Sequence, residues 1–245
     1  MDNYVYEDLR EHQEEHWWFR ARREILMRVF GSLALPPEAE ILEIGCGTGG
    51  NLAMLDRFGK VCGVEMHEEA VQYARSTTGQ DIRAGYLPDN IPVDGKFDLI
   101  CLLDVVEHIE DDRLALSTLN DMLKPGGRVV ITVPAYQWMF GKHDELLHHY
   151  RRYSRKSLRQ LMTDSNIEIA RIGYFNTLLL PIAVLAFITD SLTSVEKCTG
   201  YDVPPRWLNA TFYHLFRMEQ FLIDKLSLPF GCSLLMVSKP LDRAA

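Results

Sequence analysis

The chain has 245 residues, a formal net charge of −8, and 47% apolar and 24% charged residues. That balance suits one globular domain, alone or with an appendage, and excludes a disordered or fibrous chain. An isoelectric point near 5.5 with a single short basic stretch speaks against nucleic-acid binding.

An amphipathic stretch to about residue 33 reads as helix, and Pro36 and Pro37 break it. Within it His16, Trp17, Trp18, Phe19 and Arg20 gather aromatic area and a basic group in five residues. Two of the aromatics are assigned to docking the helix on the core. Trp18 or Phe19, with Arg20 or Arg23, is the expected cap of a pocket, and Tyr4 and Tyr6 are lesser contributors. The N-terminus is acidic where a secretory signal needs basic and then apolar residues, so a cytoplasmic location is expected.

ILEIGCGTGGN follows as a buried strand and a glycine turn, where Gly45, Gly47 and Gly49 let the backbone approach a ligand and Cys46 is a small apolar filler. A second strand over 60 to 65 ends at Glu65, about twenty residues on, where an acid can accept both hydroxyls of a ribose. Further strands are predicted near 40 to 45, 80 to 84, 97 to 103 and 127 to 133, with helices near 49 to 58, 67 to 76, 111 to 123 and 154 to 165. The alternation implies an α/β, doubly wound and mostly parallel sheet with ligands at the carboxyl ends of its strands.

IEIARIGYFN and CSLLMVSKP read as the last two strands, separated by about 55 residues, a length that points to function. Within these, LLLPIAVLAFI at 178 to 188 is too short to span a bilayer, which leaves peripheral membrane contact open. In RWLNATFYHLFRMEQFLI, Trp207, Phe212, Leu215, Phe216, Phe221 and Leu222 recur at helical spacing. Core packing, a dimer interface and a channel for a lipid-like acceptor compete for that stripe, so both monomer and homodimer stay open. Cys46, Cys62, Cys101, Cys198 and Cys232 are odd in number and contain no CxxC, which fits a reducing compartment and no disulfide framework.

LEIGCGTGGN, VEMHEEAV, FDLICLLDVVEHIED and LKPGGRVVITVP, in this order over residues 38 to about 135, resemble the motifs of class I S-adenosylmethionine (SAM)-dependent methyltransferases. EEHWWFRARREIL together with the downstream HD and H-x-R-R-Y resembles one subgroup of them and extends the likeness over nearly the whole chain. A dinucleotide dehydrogenase is disfavoured, since no second mononucleotide half follows Pro134 and Asn51 replaces the third glycine of GxGxxG. The resemblance implies a Rossmann-like core (38–175 and 229–240) with an antiparallel last strand, an N-terminal helical lid (1–35) and a helical insertion (176–228), all in one domain. It implies SAM as cofactor and S-adenosyl-L-homocysteine as product.

The cofactor site follows residue by residue. Glu43 lies near the methionine amino group, and Gly45, Cys46, Gly47, Thr48 and Gly49, leading into a helix, meet its carboxylate. Glu65 takes the ribose, Met66, Tyr86 and Leu87 flank adenine, and Leu103 and Asp104 floor the pocket. RAGYLPDN lacks the acid that usually reads the adenine amine, so Tyr86 or a backbone carbonyl stands in for it.

Methyl transfer needs an aligned nucleophile whose proton is removed, and the protein supplies both. His108, beside Glu107 and four residues after Asp104, is a candidate base, as is His149; packing the pocket is an equal reading of His108. Lys142, Arg151, Arg152, Arg155, Lys156 and Arg159 form a local basic patch suited to an anionic substrate group. Arg155, Lys156 and Arg159 fit the solvent face of a helix capped by Ser154, which leaves His149, Arg151, Arg152 and Tyr153, with Tyr136, as acceptor-side residues. Asp104, Asp111 and Asp112 make a weak metal set, and no metal is expected. These readings converge on a methyltransferase for a small molecule, at oxygen rather than nitrogen or carbon, with an anionic or lipid-like acceptor. The alternatives are an N-methyltransferase and a catalytically silent SAM-binding module dimerising through 176–228.

Overall fold

The computed structural model describes residues 2–192 and 200–241; Cys198 lies outside them. Seven strands form one sheet: β1 Ala39–Ile44, β2 Gly59–Glu65, β3 Asp81–Ala84, β4 Phe97–Leu103, β5 Leu123–Pro134, β6 Ile169–Phe175 and β7 Ser233–Ser238. Their order is β3-β2-β1-β4-β5-β7-β6. The first five strands pair in parallel, and β7 runs antiparallel to β5 and β6. The chain runs outward in one direction from β1 and in the other from β4, so their carboxyl ends flank the crevice where such sheets bind ligands.

Nine helices surround the sheet among the described residues: α1 Asn3–His12, α2 Trp17–Gly31, α3 Leu52–Leu55, α4 Glu68–Thr78, α5 Asp112–Met122, α6 Lys142–Leu146, α7 Arg155–Asp164, α8 Leu180–Leu192 and α9 Arg206–Arg217. Because successive strand residues face opposite sides, Ile41 and Leu99 join a core layer with Ile25, Leu26 and Phe216 of α2 and α9. Leu42 and Ile100 join the other layer with Leu116 and Leu158 of α5 and α7. Each such fully buried aliphatic contributes about 1.5–3 kcal/mol.

The amino-terminal stretch is two helices rather than one. His16 caps the second by accepting from the Trp18 amide at 3.3 Å. The helix expected over 49 to 58 shrinks to the four residues of α3, because Gly49, Gly50 and Asn51 before it are poor helix formers. Ser154 caps α7 as its sequence implies, and Lys156 and Arg159 are exposed on it.

The segment between β6 and β7 carries α8 and α9. Trp17 sets its ring edge-on to Phe212 and Phe216, and its amide donates to Asn209 Oδ1 at 2.8 Å, which docks α9 on α2. Core packing thus takes Phe212, Leu215 and Phe216 from the apolar stripe, while Trp207, Phe221 and Leu222 stay exposed. In α8 none of the described side chains is buried, and Ile182, Leu185 and Ile188 face outward. No helix among the described residues is long and apolar enough to cross a membrane.

Candidate active site

The glycine turn leaves β1 with Gly45 at φ +71°, its amide and that of Cys46 donating to the Val64 carbonyl at 2.7 and 3.1 Å. A Cβ at Gly45 would stand 2.5 Å from Val105 Cγ2, so only glycine lets β1 and β4 end this close together. Gly47, at φ +55°, has nothing within 4 Å of a Cβ position: the turn bends around open space. Glu65, 4% exposed at the end of β2, faces that turn. Its Oε2 accepts from the Gly47 amide at 2.9 Å, and its Oε1 from the His67 amide at 2.9 Å and the Tyr6 hydroxyl at 3.0 Å.

Glu43 sits beneath the turn, 1% exposed. Its Oε1 accepts from Asn51 at 2.8 Å, and its Oε2 is buried without a partner. Burial lifts its pKa to about 7 against the opposing pull of Asn51 and Arg22. Gly85 donates to the Glu65 carbonyl at 2.9 Å, which brings Leu87, buried, and Tyr86, exposed, beside exposed Met66. A helix dipole directly behind Thr48 is expected from the sequence. The regular helix is a single turn starting at Leu52, so the turn amides, not a macrodipole, face the open space.

Helix α1 lies across this site. Besides Tyr6, Gln13 reaches it, accepting from the Thr48 hydroxyl at 2.9 Å, and Arg23 donates to the Gln13 and Gly50 carbonyls at 3.0 and 3.4 Å. Arg20, expected at the cap of the pocket, lies over Tyr213 at 4.4 Å instead. The inward arginine is Arg22, 3% exposed, which pairs with Asp104 at 2.6 Å, donates to Thr132 at 3.0 Å and lies 4.8 Å over Trp18. Arg22 sits four residues after Trp18 and three before Ile25 on one helical face, a periodicity that could have found it. Phe19 packs on Tyr201.

Beyond Asp104 a 3-10 turn, Val106–His108, brings Glu107 and His108 against His149 in the loop after α6. The two imidazoles meet edge to face at 4.5 Å, and the Tyr150 amide donates to the Glu107 carbonyl at 2.8 Å. Burial, with His149 alongside, pushes His108 down to about 3, so its ring is neutral. His149 Nδ1 donates to Asp144 Oδ1 at 2.8 Å, and the same oxygen takes Arg152 Nε at 2.7 Å. Burial alone would raise Asp144, but the hydrogen bonds from His149 and Arg152 hold it well below the usual carboxylate range. Glu107 is fully buried, both its oxygens lack a hydrogen-bond partner, and burial pushes its pKa well up. Glu107 joins the two expected histidines, a member that no local signal in the sequence marks.

The basic patch resolves into ties. Arg151 pairs with Asp112 at 2.9 Å and donates to the Glu110 carbonyl, while Arg155 donates to the Leu228 carbonyl at 2.7 Å. Tyr153, 3% exposed, donates to Asp112 at 2.7 Å. Tyr136 stacks on Tyr174 at 5.4 Å, further along β5.

A family model described as a methyltransferase domain matches residues 11–172. The chain belongs to the SAM-dependent methyltransferases. Over 206 residues the methyltransferase is 30% identical to the 2-methyl-6-phytyl-1,4-hydroquinone methyltransferase of Synechocystis, covering 80% of this chain and 61% of that protein. It is 31% identical over 103 residues to a ubiquinone biosynthesis O-methyltransferase of Pseudomonas aeruginosa, 38% of this chain and 43% of the other. The chain therefore spans less than two thirds of the curated relatives it matches. Its fold is that of geranyl diphosphate C-methyltransferase from Streptomyces coelicolor, with a TM-score of 0.61 at 18% identity over 90% of this chain and 79% of that one. Three features of the methyltransferase fit SAM: the space bounded by Gly47, the buried Glu65 carboxylate at its rim, and the unpartnered Glu43 oxygen, a match for an ammonium group.

Proposed function

We propose that the protein transfers a methyl group from SAM to a hydroxyl oxygen of a small, lipid-like acceptor. The observation that carries this is that the Glu65 and Gly47 site and the 3-10 turn bearing His108 both lie on segments leaving the carboxyl ends of β1, β2 and β4, with His149 packed on His108. When bound, SAM supplies an electrophilic methyl group on a sulfonium. Glu65 holds the ribose hydroxyls, Glu43 faces the amino group, the turn from Gly45 to Gly49 takes the carboxylate, and Met66, Tyr86 and Leu87 border adenine. Leu103 and Asp104 form the floor, with buried Arg22 compensating the charge of the partly exposed Asp104.

His108 and His149 line the acceptor side and orient its hydroxyl, while Trp18 and Phe19 close the pocket from α2. A lipid-like acceptor is favoured over an anionic one because Arg151 and Arg152 are already paired with Asp112 and Asp144. The exposed apolar side chains of α8 and the phytyl and ubiquinone chemistry in the relatives' names favour the same reading. In it, residues 1–35 are a lid and 176–228 a cap. Incubating the protein with methyl-tritiated SAM and a fractionated lipid extract should label an apolar product. Label confined to water-soluble acids or amines would overturn the acceptor class. Tight SAM binding with no transfer to any fraction would leave the silent binding module.

A further inference from the structure

We propose that Glu107, His108 and His149 bind one divalent first-row transition-metal ion. Each residue offers one donor atom, and the three atoms lie within 4.8 Å of one another. Around a single Zn²⁺, with bonds of about 2.0–2.2 Å, donors stand roughly 3.4 Å apart, so adjustments of about 1 Å in side-chain position close the set. Two imidazole nitrogens and one carboxylate oxygen suit Zn²⁺, Co²⁺, Mn²⁺ or Fe²⁺ and disfavour Mg²⁺ and Ca²⁺.

Two observations separate this cluster from an ordinary polar group at a strand end. Glu107 is fully buried with neither oxygen hydrogen-bonded, a costly state for a polar side chain unless something pairs with it. His149, 8% exposed at its side chain, is already oriented for a ligand role. Its Nδ1–H is taken by Asp144, which fixes the tautomer and leaves the lone pair on Nε2. Asp144 is itself held by Arg152 Nε at 2.7 Å and by the Gly141 amide at 3.0 Å, so the orienting carboxylate cannot swing away. With Asp104 paired to Arg22 and Asp144 paired to Arg152, Glu107 is, among the described residues, the carboxylate of this region without an ion pair of its own.

Binding of the ion requires nothing of the function proposed above; its role rests on that reading. An acceptor hydroxyl on the ion would lose its proton to solvent more readily. The O–C bond then forms as the C–S bond breaks, and S-adenosyl-L-homocysteine leaves without its sulfonium charge. Nothing is oxidised or reduced.

The test uses the full chain, stripped with a chelator and titrated with Zn²⁺ against a chromophoric competitor and with Co²⁺ by visible absorption. One ion per chain is expected. Glu107→Gln and His149→Gln should each weaken binding ~100-fold or more with SAM affinity and Tm retained, and Asp144→Asn ~10–100-fold with SAM affinity retained and a lower Tm from the broken Arg152 pair. Exposed His148, changed to Gln, should alter nothing. No stoichiometric binding, or wild-type affinity in both Glu107→Gln and His149→Gln, overturns the site. Should either variant fail to fold, the wild-type Co²⁺ spectrum decides, since absence of ligand-field bands at saturation has the same force. Stoichiometric metal with no methyl transfer would refute the proposed function and leave the site standing. Full transfer by a chain that binds no metal would do the reverse.

Discussion

Tyr6→Phe should tighten SAM binding. A carboxylate has about four lone-pair positions. On Glu65 three of them accept from the His67 and Gly47 amides and the Tyr6 hydroxyl. A ribose diol brings two donors to about one remaining position, so one resident must leave. The two amides are fixed by the backbone of β2 and the glycine turn, which leaves Tyr6. Displacing it costs a hydrogen bond to a charged group, about 1.5–3 kcal/mol, partly recovered when the phenol meets water. The lower end, about 1.5 kcal/mol, corresponds to roughly a tenfold lower Kd for Tyr6→Phe. The ring's stack on His67 at 4.3 Å survives the change, so α1 should stay docked. Calorimetric titration with SAM and with S-adenosyl-L-homocysteine measures the effect. Equal or weaker affinity in Tyr6→Phe would mean that the hydroxyl shares Glu65 with the ligand or touches the ligand itself, and the competition argument would fail.

Three further outcomes follow from the site. Gly47→Val should abolish SAM binding while costing about 1–2 kcal/mol of stability in thermal melts, because its Cβ meets no protein atom within 4 Å but the residue imposes a left-handed strain and fills the open cradle. Glu43, raised to about 7 by burial, favours the folded state only while protonated, so its contribution is present below the ordinary carboxyl range and is lost as pH rises toward 7; the Tm of Glu43→Gln relative to wild type should therefore climb between about pH 4.5 and 7, and a flat difference would contradict the burial argument. Arg152→Gln should lower stability by about 2–3 kcal/mol by stripping a charged partner from buried Asp144, and Arg151→Gln, half-exposed, by less than about 1 kcal/mol; a large rise in acceptor KM without loss of Tm would restore the anionic clamp.

Most strands were legible as apolar runs bounded by glycine, proline or acid, the short polar β3 excepted, and the place of Glu65 at the end of β2, facing the glycine turn, was legible from its chain distance to that turn. Helix α3 was overextended because apolar residues after the turn suggested periodicity, while Gly49 to Asn51 resist helix. Arg20 or Arg23 is the choice that adjacency to the aromatic cluster suggests; Arg23 does reach the Gly50 carbonyl, while helical phase, set by Ile25 and Val29, turns Arg22 inward. The cluster of Glu107 with His149, and the pairing of Arg151 with Asp112, join residues distant in the chain. Nothing local in the sequence announces such a meeting; it comes from β4 and β5 lying side by side, so that the segments leaving their carboxyl ends pack together.

The position of β7 bears on how the molecule is made. It is last in the chain yet lies between β5 and β6, contributing ladders to both. During synthesis from the amino terminus, the facing edges of β5 and β6 have no partner until Ser233 to Ser238 are complete. Exposed edges of this kind invite pairing with other chains. Pairing across so long a stretch of chain also closes slowly. Deleting β7 should thus harm solubility far more than its 6 residues imply, since the damage falls in the interior of the sheet.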